Sequence, residues 1–162
     1  MNYSQLRQKH QDEFNNFPIG FAFSNEQFDE WIEKWNLKPN SDGKYDVIGI
    51  GCGGFIQRKD LAAFSEMCKR HREEEKIYYS NPEFMEDAFY YEMCNHEYGI
   101  NWQADYDVLS CFGNIKYCGD DVWGSAETER YFNELGFSQD VRNAYYKAKK
   151  RYEKDALENE WF

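Results

Sequence analysis

Apolar residues return at helical spacing over most of this chain. Tyr3, Leu6, His10 and Phe14 mark a first helix over residues 3–16. Phe17-Pro18 closes it, because proline disfavours helical backbone at the residue before it. Residues 17–23, Phe-Pro-Ile-Gly-Phe-Ala-Phe, read as a strand. Ser24 with Gln27 three positions on is a capping box, and Phe28, Trp31, Ile32 and Trp35 follow on one helical face. A turn cluster over residues 38–43 leads to extended structure from Tyr45 to Ile50, and Gly51 to Gly54 permit a tight turn or bulge into Phe55-Ile56.

Beyond Asp60, the stripe Leu61, Phe64, Cys68, His71 and Tyr78 predicts a long helix. Asn81-Pro82 caps and starts the next, expected to run to about Tyr98. The stretch 99–124 is less periodic, with a short helix through Val108, Leu109 and Phe112. Ser125 starts another helix that Gly136 stops, and Ser138 caps the last, whose stripe is Val141, Tyr145, Ala148, Tyr152 and Ala156. The expectation is an α+β fold: a mainly helical single domain of about five to six helices with a small antiparallel sheet near residues 17–23 and 45–57.

A chain of 162 residues has the size of one domain and buries roughly 70% of its unfolded surface. Its apolar content leans on rings, 13 Phe, 13 Tyr and 5 Trp, so many of them lie partly at the surface, where Tyr and Trp serve interfaces as well as cores. No apolar run approaches the ~18 residues of a membrane helix, and the N-terminus has no apolar signal region. A cytoplasmic protein without a membrane partner is expected. Cys52, Cys68, Cys94, Cys111 and Cys118 form no C-x-x-C pair, which fits free thiols in a reducing compartment.

Charge changes the picture. The net formal charge is −11, and residues 77–129 carry eleven acids (Glu83, Glu86, Asp87, Glu92, Glu97, Asp105, Asp107, Asp120, Asp121, Glu127 and Glu129) against Lys116 alone. Residues 142–154 reverse the sign with six bases against Glu153. An excess of ten negative charges repels phosphates, so direct nucleic-acid binding through the middle is disfavoured. The same field attracts a basic cleft and raises on-rates by ~10 to 10³-fold at low salt. Duplex DNA presents about one charge per 1.7 Å, so dense carboxylates can compete for a site that holds phosphates. A solvated acidic face kept for solubility is the plainer alternative. The basic last helix, with Lys147, Arg151 and Lys154 along one line, leaves a homodimer open.

Motifs for chemistry are weaker. Gly49-Ile50-Gly51-Cys52-Gly53-Gly54 matches G-x-G-x-x-G, but no alternating β-α series surrounds it, so a glycine-rich hairpin is the better reading. Cys68 and His71 with Cys94 and His96 offer zinc-type donors, yet Cys94 and His96 point about 200° apart on a helix and do not converge. Glu92, His96 and Glu97 lie near one another at a helix end, where a capped, solvated terminus explains them. No catalytic residue, metal or cofactor is assigned.

The motifs Phe21-Ala22-Phe23-Ser24-Asn25-Glu26-Gln27-Phe28, Gly53-Gly54-Phe55-Ile56, and Tyr91-Glu92 with Asn95-His96-Glu97-Tyr98 resemble a group of small proteins of phages and mobile elements of Firmicutes. The likeness covers roughly residues 3–98 and carries no assigned catalytic residues. It implies the company of anti-defence proteins, including anti-restriction and anti-CRISPR inhibitors, which commonly cover a basic nucleic-acid groove. The resulting expectation favours a binding protein over an enzyme: an inhibitor of a host defence nuclease that binds its nucleic-acid cleft through Glu83, Glu86, Asp87, Asp105, Asp107, Asp120 and Asp121. A small metal- or nucleotide-dependent enzyme and a self-associating regulatory protein are the alternatives.

Overall fold

Seven α-helices and three short strands form in a computed structural model that describes residues 1–101, 103–118 and 124–161, so the chain is α+β and mainly helical. The order is α1 (Tyr3–Asn16), β1 (Ile19–Phe21), α2 (Asn25–Lys34), β2 (Val47–Gly51), β3 (Gly54–Gln57), a 3-10 turn (Arg58–Asp60), α3 (Leu61–Tyr79), α4 (Pro82–Asn95), α5 (Ala104–Ser110), α6 (Ser125–Leu135) and α7 (Gln139–Glu158). The described residues hold seven helices where about five to six were expected, and the short helix expected through Val108, Leu109 and Phe112 forms as α5, beginning earlier at Ala104. Contacts divide the chain into two compact units, Gln8–Glu73 and Met1–Arg7 with Glu74–Phe162, and the boundary falls within α1 and α3.

In the unit Gln8–Glu73 the sheet has the order β1-β3-β2, with both pairings antiparallel. The β1 strand is shorter than residues 17–23, since Pro18 has no N–H for a ladder bond. Ser24 Oγ accepts the Gln27 N–H at 3.3 Å, while Gln27 Oε1 accepts the Phe23 N–H at 2.8 Å, a capping box shifted back by one residue. The glycine-rich segment is a hairpin joining β2 to β3, with Gly51, Cys52 and Gly53 all at positive φ and a bulge between Gly49 and Gly51. It leads into an antiparallel strand rather than a helix N-terminus, which removes the dinucleotide reading. Ile19, Ile32, Phe55, Ile56 and Met67 are buried, with the rings of Phe28, Trp31 and Trp35 around Phe55. Gly20 is needed beneath them, because a Cβ there would stand 2.7 Å from the Phe55 ring.

The helices of this unit are tied by Glu13, which accepts from Arg70 Nη2 at 2.6 Å and meets His71 Nε2 at 2.8 Å, while His71 stacks on His10 at 3.9 Å. These bonds, Arg70 first and His71 second, pull the Glu13 carboxyl down from 4.5 to about 2. A depressed folded-state value stabilises fully above pH 4.5, and that stabilisation is lost as pH falls through about 2. The unfolding midpoint of the wild type should therefore drop more steeply between pH 5 and 2 than that of Glu13→Gln. Parallel slopes in acid urea titrations would show that Glu13 contributes nothing.

In the second unit, α4 packs on α7 and on α5, and α5 on α6, around a ring-rich core: Phe89, Phe112, Tyr131, Phe132 and Tyr145, with Met85, Met93, Val108 and Leu109. The predicted α7 stripe, Val141, Tyr145, Ala148, Tyr152 and Ala156, is buried throughout. Asn81 Oδ1 accepts the Glu83 and Phe84 N–H groups, confirming the cap of α4. That helix ends at Asn95 rather than near Tyr98. Glu97 adopts a left-handed φ of 50°, and the Tyr98 N–H turns back to the Met93 carbonyl at 3.0 Å, closing the helix in a Schellman arrangement. No helix among the described residues is long and apolar enough to cross a membrane.

Candidate functional site

The end of α4 buries a charge. Glu92 is fully buried, and a buried carboxylate persists only when every lone pair has a partner. Its Oε1 accepts from Tyr3 Oη at 2.6 Å and from Arg7 Nη1, both presented by the first turns of α1. Oε2 accepts from Asn95 Nδ2 at 3.1 Å and faces His96 Nε2 at 3.6 Å, beyond hydrogen-bonding range. Three and four positions along a helix share a face, so Glu92, Asn95 and His96 converge by helical geometry alone.

Cys111, which caps the C-terminus of α5, completes the cluster from the neighbouring helix. Its Sγ lies 3.4 Å from His96 Nε2 and 3.4 Å from the Asp107 carbonyl oxygen. Burial, reinforced by Glu92, pushes the Cys111 thiol up to about 12. The cysteine is therefore a thiol at neutral pH, which argues against nucleophilic catalysis by a Cys-His pair. Burial and the bond to Glu92 likewise raise the Tyr3 hydroxyl far above its ordinary value, so it donates throughout the physiological range. Cys94, the cysteine of α4, is exposed, and its thiol is likewise shifted up by burial. It lines an open cleft of about 440 Å³ with Tyr90, Glu97, Ile100, Tyr152 and Trp161.

The acidic residues singled out in the sequence separate into distinct environments. Glu83, Glu86 and Asp87 lie on one side of α4, with Glu83 and Asp87 exposed and Glu86 half-buried. Asp87 pairs with Arg151 Nη1 of α7 at 2.9 Å, and Arg142 of the same helix pairs with Glu129 at 2.9 Å. The basic helix thus neutralises part of the acidic middle within the chain. Asp105 points inward and accepts from Tyr98, Tyr145 and Thr128; Tyr145 is wholly buried. Asp107 accepts from Asn101 Nδ2 at 2.7 Å. Asp120 and Asp121 lie outside the described residues.

Of the four zinc-type donors weighed in the sequence, His71 engages Glu13 in one unit and His96 engages Glu92 and Cys111 in the other. Cys111 rather than Cys94 is the thiol that meets His96. The i, i+4 spacing of Glu92 and His96 was a signal for half of this cluster; the approach of Cys111 depends on how α5 packs and left no mark in local spacing.

Compared with known proteins, the chain matches a family profile over residues 2–153, that of a family of unknown function (DUF7659). No curated protein and no solved structure matches it.

Proposed function

The chain belongs to the DUF7659 family, and we propose that it is a non-catalytic binding protein whose acidic surface engages a basic, nucleic-acid-binding cleft on another protein, a host defence nuclease being the partner class. One observation carries the reading. The unit Met1–Arg7 with Glu74–Phe162 holds nineteen carboxylates against ten bases; among the described residues Glu92 is buried, and Asp105 and Asp107 are taken by bonds within the unit. A net −9 on one unit creates a long-range field that the ion pairs of Arg142 and Arg151 reduce only locally.

The binding residues are then narrower than the acidic middle as a whole. Glu83, Glu86 and Asp87 offer carboxylates on one helix side at the surface, whereas Asp105 is structural. The Asp87 to Arg151 pair joins two half-exposed side chains and contributes little to stability, so a partner's base can replace Arg151 at small cost.

Binding to purified RNA-guided and restriction nucleases, followed by surface resonance at rising salt, tests the reading. Association should weaken steeply with salt and be blocked when the nuclease is preloaded with nucleic acid. The triple variant Glu83→Gln, Glu86→Gln, Asp87→Asn should lower the on-rate about tenfold. Salt-independent binding, or an unchanged on-rate in the triple variant, rejects the mechanism, as does failure of every nuclease to bind.

A further inference from the structure

The cluster at the end of α4 does more than satisfy a buried carboxylate, and we propose that Glu92 Oε2, His96 Nε2 and Cys111 Sγ form a binding site for a divalent transition metal of the zinc class.

Geometry is the first argument. Glu92, His96 and Cys111 each bring a donor atom within 4.8 Å of the other two. Bond lengths of about 2.0–2.3 Å at tetrahedral angles place neighbouring donors roughly 3.4–3.6 Å apart. The thiol to imidazole separation is 3.4 Å and the imidazole to carboxylate separation 3.6 Å. Both match the edge lengths of such a tetrahedron. Without a cation, the single nitrogen Nε2 faces two groups at once and can serve at most one of them as donor or acceptor.

The surroundings are the second argument. Oε1 of Glu92 is taken by Tyr3 and Arg7, so the carboxylate is turned with Oε2 toward His96 and Cys111. Ligating carboxylates are held in this way by hydrogen bonds from outer residues, which orient the metal-facing oxygen. Arg7 adds positive charge on the far oxygen and leaves Oε2 free of a cationic partner other than His96. Half-buried His96 gives an entry path from solvent, while Glu92 forms a closed floor. Nitrogen, sulfur and oxygen donors together suit zinc better than magnesium or calcium, which take oxygen alone. Three protein ligands leave a fourth position for water or an outside ligand. Binding replaces the Cys111 thiol proton, which leaves to solvent, and so forms the sulfur to metal bond without any redox step.

Titration of chelator-stripped protein with Co²⁺, followed by displacement with Zn²⁺, provides the test. Wild-type protein should take up one equivalent of Co²⁺ with a thiolate charge-transfer band and the strong visible bands of a tetrahedral ion. Zn²⁺ should abolish these bands and raise the melting temperature. Cys111→Ser should lose the charge-transfer band, and His96→Ala should weaken binding by more than about 100-fold. Tyr3→Phe, which touches no metal and acts through Glu92, should weaken it by about 10- to 100-fold. Cys94→Ser should bind as the wild type does. Circular dichroism of each variant separates loss of a ligand from loss of the fold. Where a variant unfolds, the wild-type bands and Zn²⁺ thermal shift decide alone. Absence of stoichiometric Co²⁺ uptake, a charge-transfer band that survives Cys111→Ser, or one that vanishes in Cys94→Ser overturns the site.

Discussion

Replacing Asp105 with alanine should cost about 3–5 kcal/mol of folding stability, although a sequence reading places this residue among surface carboxylates that meet a partner. Three hydroxyls converge on it, from Tyr98, Tyr145 and Thr128, and two of these side chains are buried. Each buried hydroxyl left without an acceptor costs about 1–3 kcal/mol, and the excised carboxylate takes charge-assisted bonds with it. Burial and Asp105 together raise the Tyr98 and Tyr145 hydroxyls well above their ordinary value, so both remain donors at any pH at which the protein folds. For a chain of this length the loss lowers Tm by roughly 10 °C. Urea unfolding of Asp105→Ala beside Asp107→Asn measures it, and an effect within about 0.5 kcal/mol would mark Asp105 as an ordinary surface residue.

The contrast between Asp105 and Glu83 shows where local pattern stops informing. Helix starts were legible because capping is local: Ser24, Asn81 and Ser138 each accept from an N–H two or three residues on. The α7 stripe was legible because burial follows period. A carboxylate, by contrast, reads the same in sequence whether it faces water or a tyrosine forty positions away. Asp105 finds Tyr145 at that separation, and Glu92 finds Tyr3 at eighty-nine. Charge segregation along the chain also proved an unreliable guide to charge segregation in space, since Arg151 and Arg142 return to Asp87 and Glu129. The half of the candidate metal cluster written within α4 was visible as spacing, while Cys111 is supplied by helix packing. For the same reason the end of α4 was overrun in sequence: Tyr90, Tyr98 and the acids between them keep a helical look, but Glu97 takes left-handed backbone and turns Tyr98 inward to Asp105.

Phe89→Ala should be as damaging, at about 3–5 kcal/mol, by a different cause. Phe89 is fully buried on α4, edge-on to Phe112 at 5.0 Å, Tyr145 at 5.1 Å and Phe137 at 5.8 Å. Its removal forfeits the transfer free energy of a ring and opens a cavity among stiff rings that collapse poorly. The three edge contacts each contribute about 0.5–1.5 kcal/mol beyond area. Tyr145 belongs to both this contact and the Asp105 network, so the two substitutions act through one side chain. Once the cavity at Phe89 lets the Tyr145 ring move, its hydroxyl can reach water or another acceptor, and the loss of Asp105 then costs less. The double variant should be more stable than additivity predicts, by about 0.5–3 kcal/mol. Phe89→Leu with Asp105→Asn serves if the alanine pair leaves too little folded protein. Free energies that add to within about 0.5 kcal/mol would mean that ring packing and the carboxylate hold Tyr145 independently, and the coupling argued from the shared ring would be wrong.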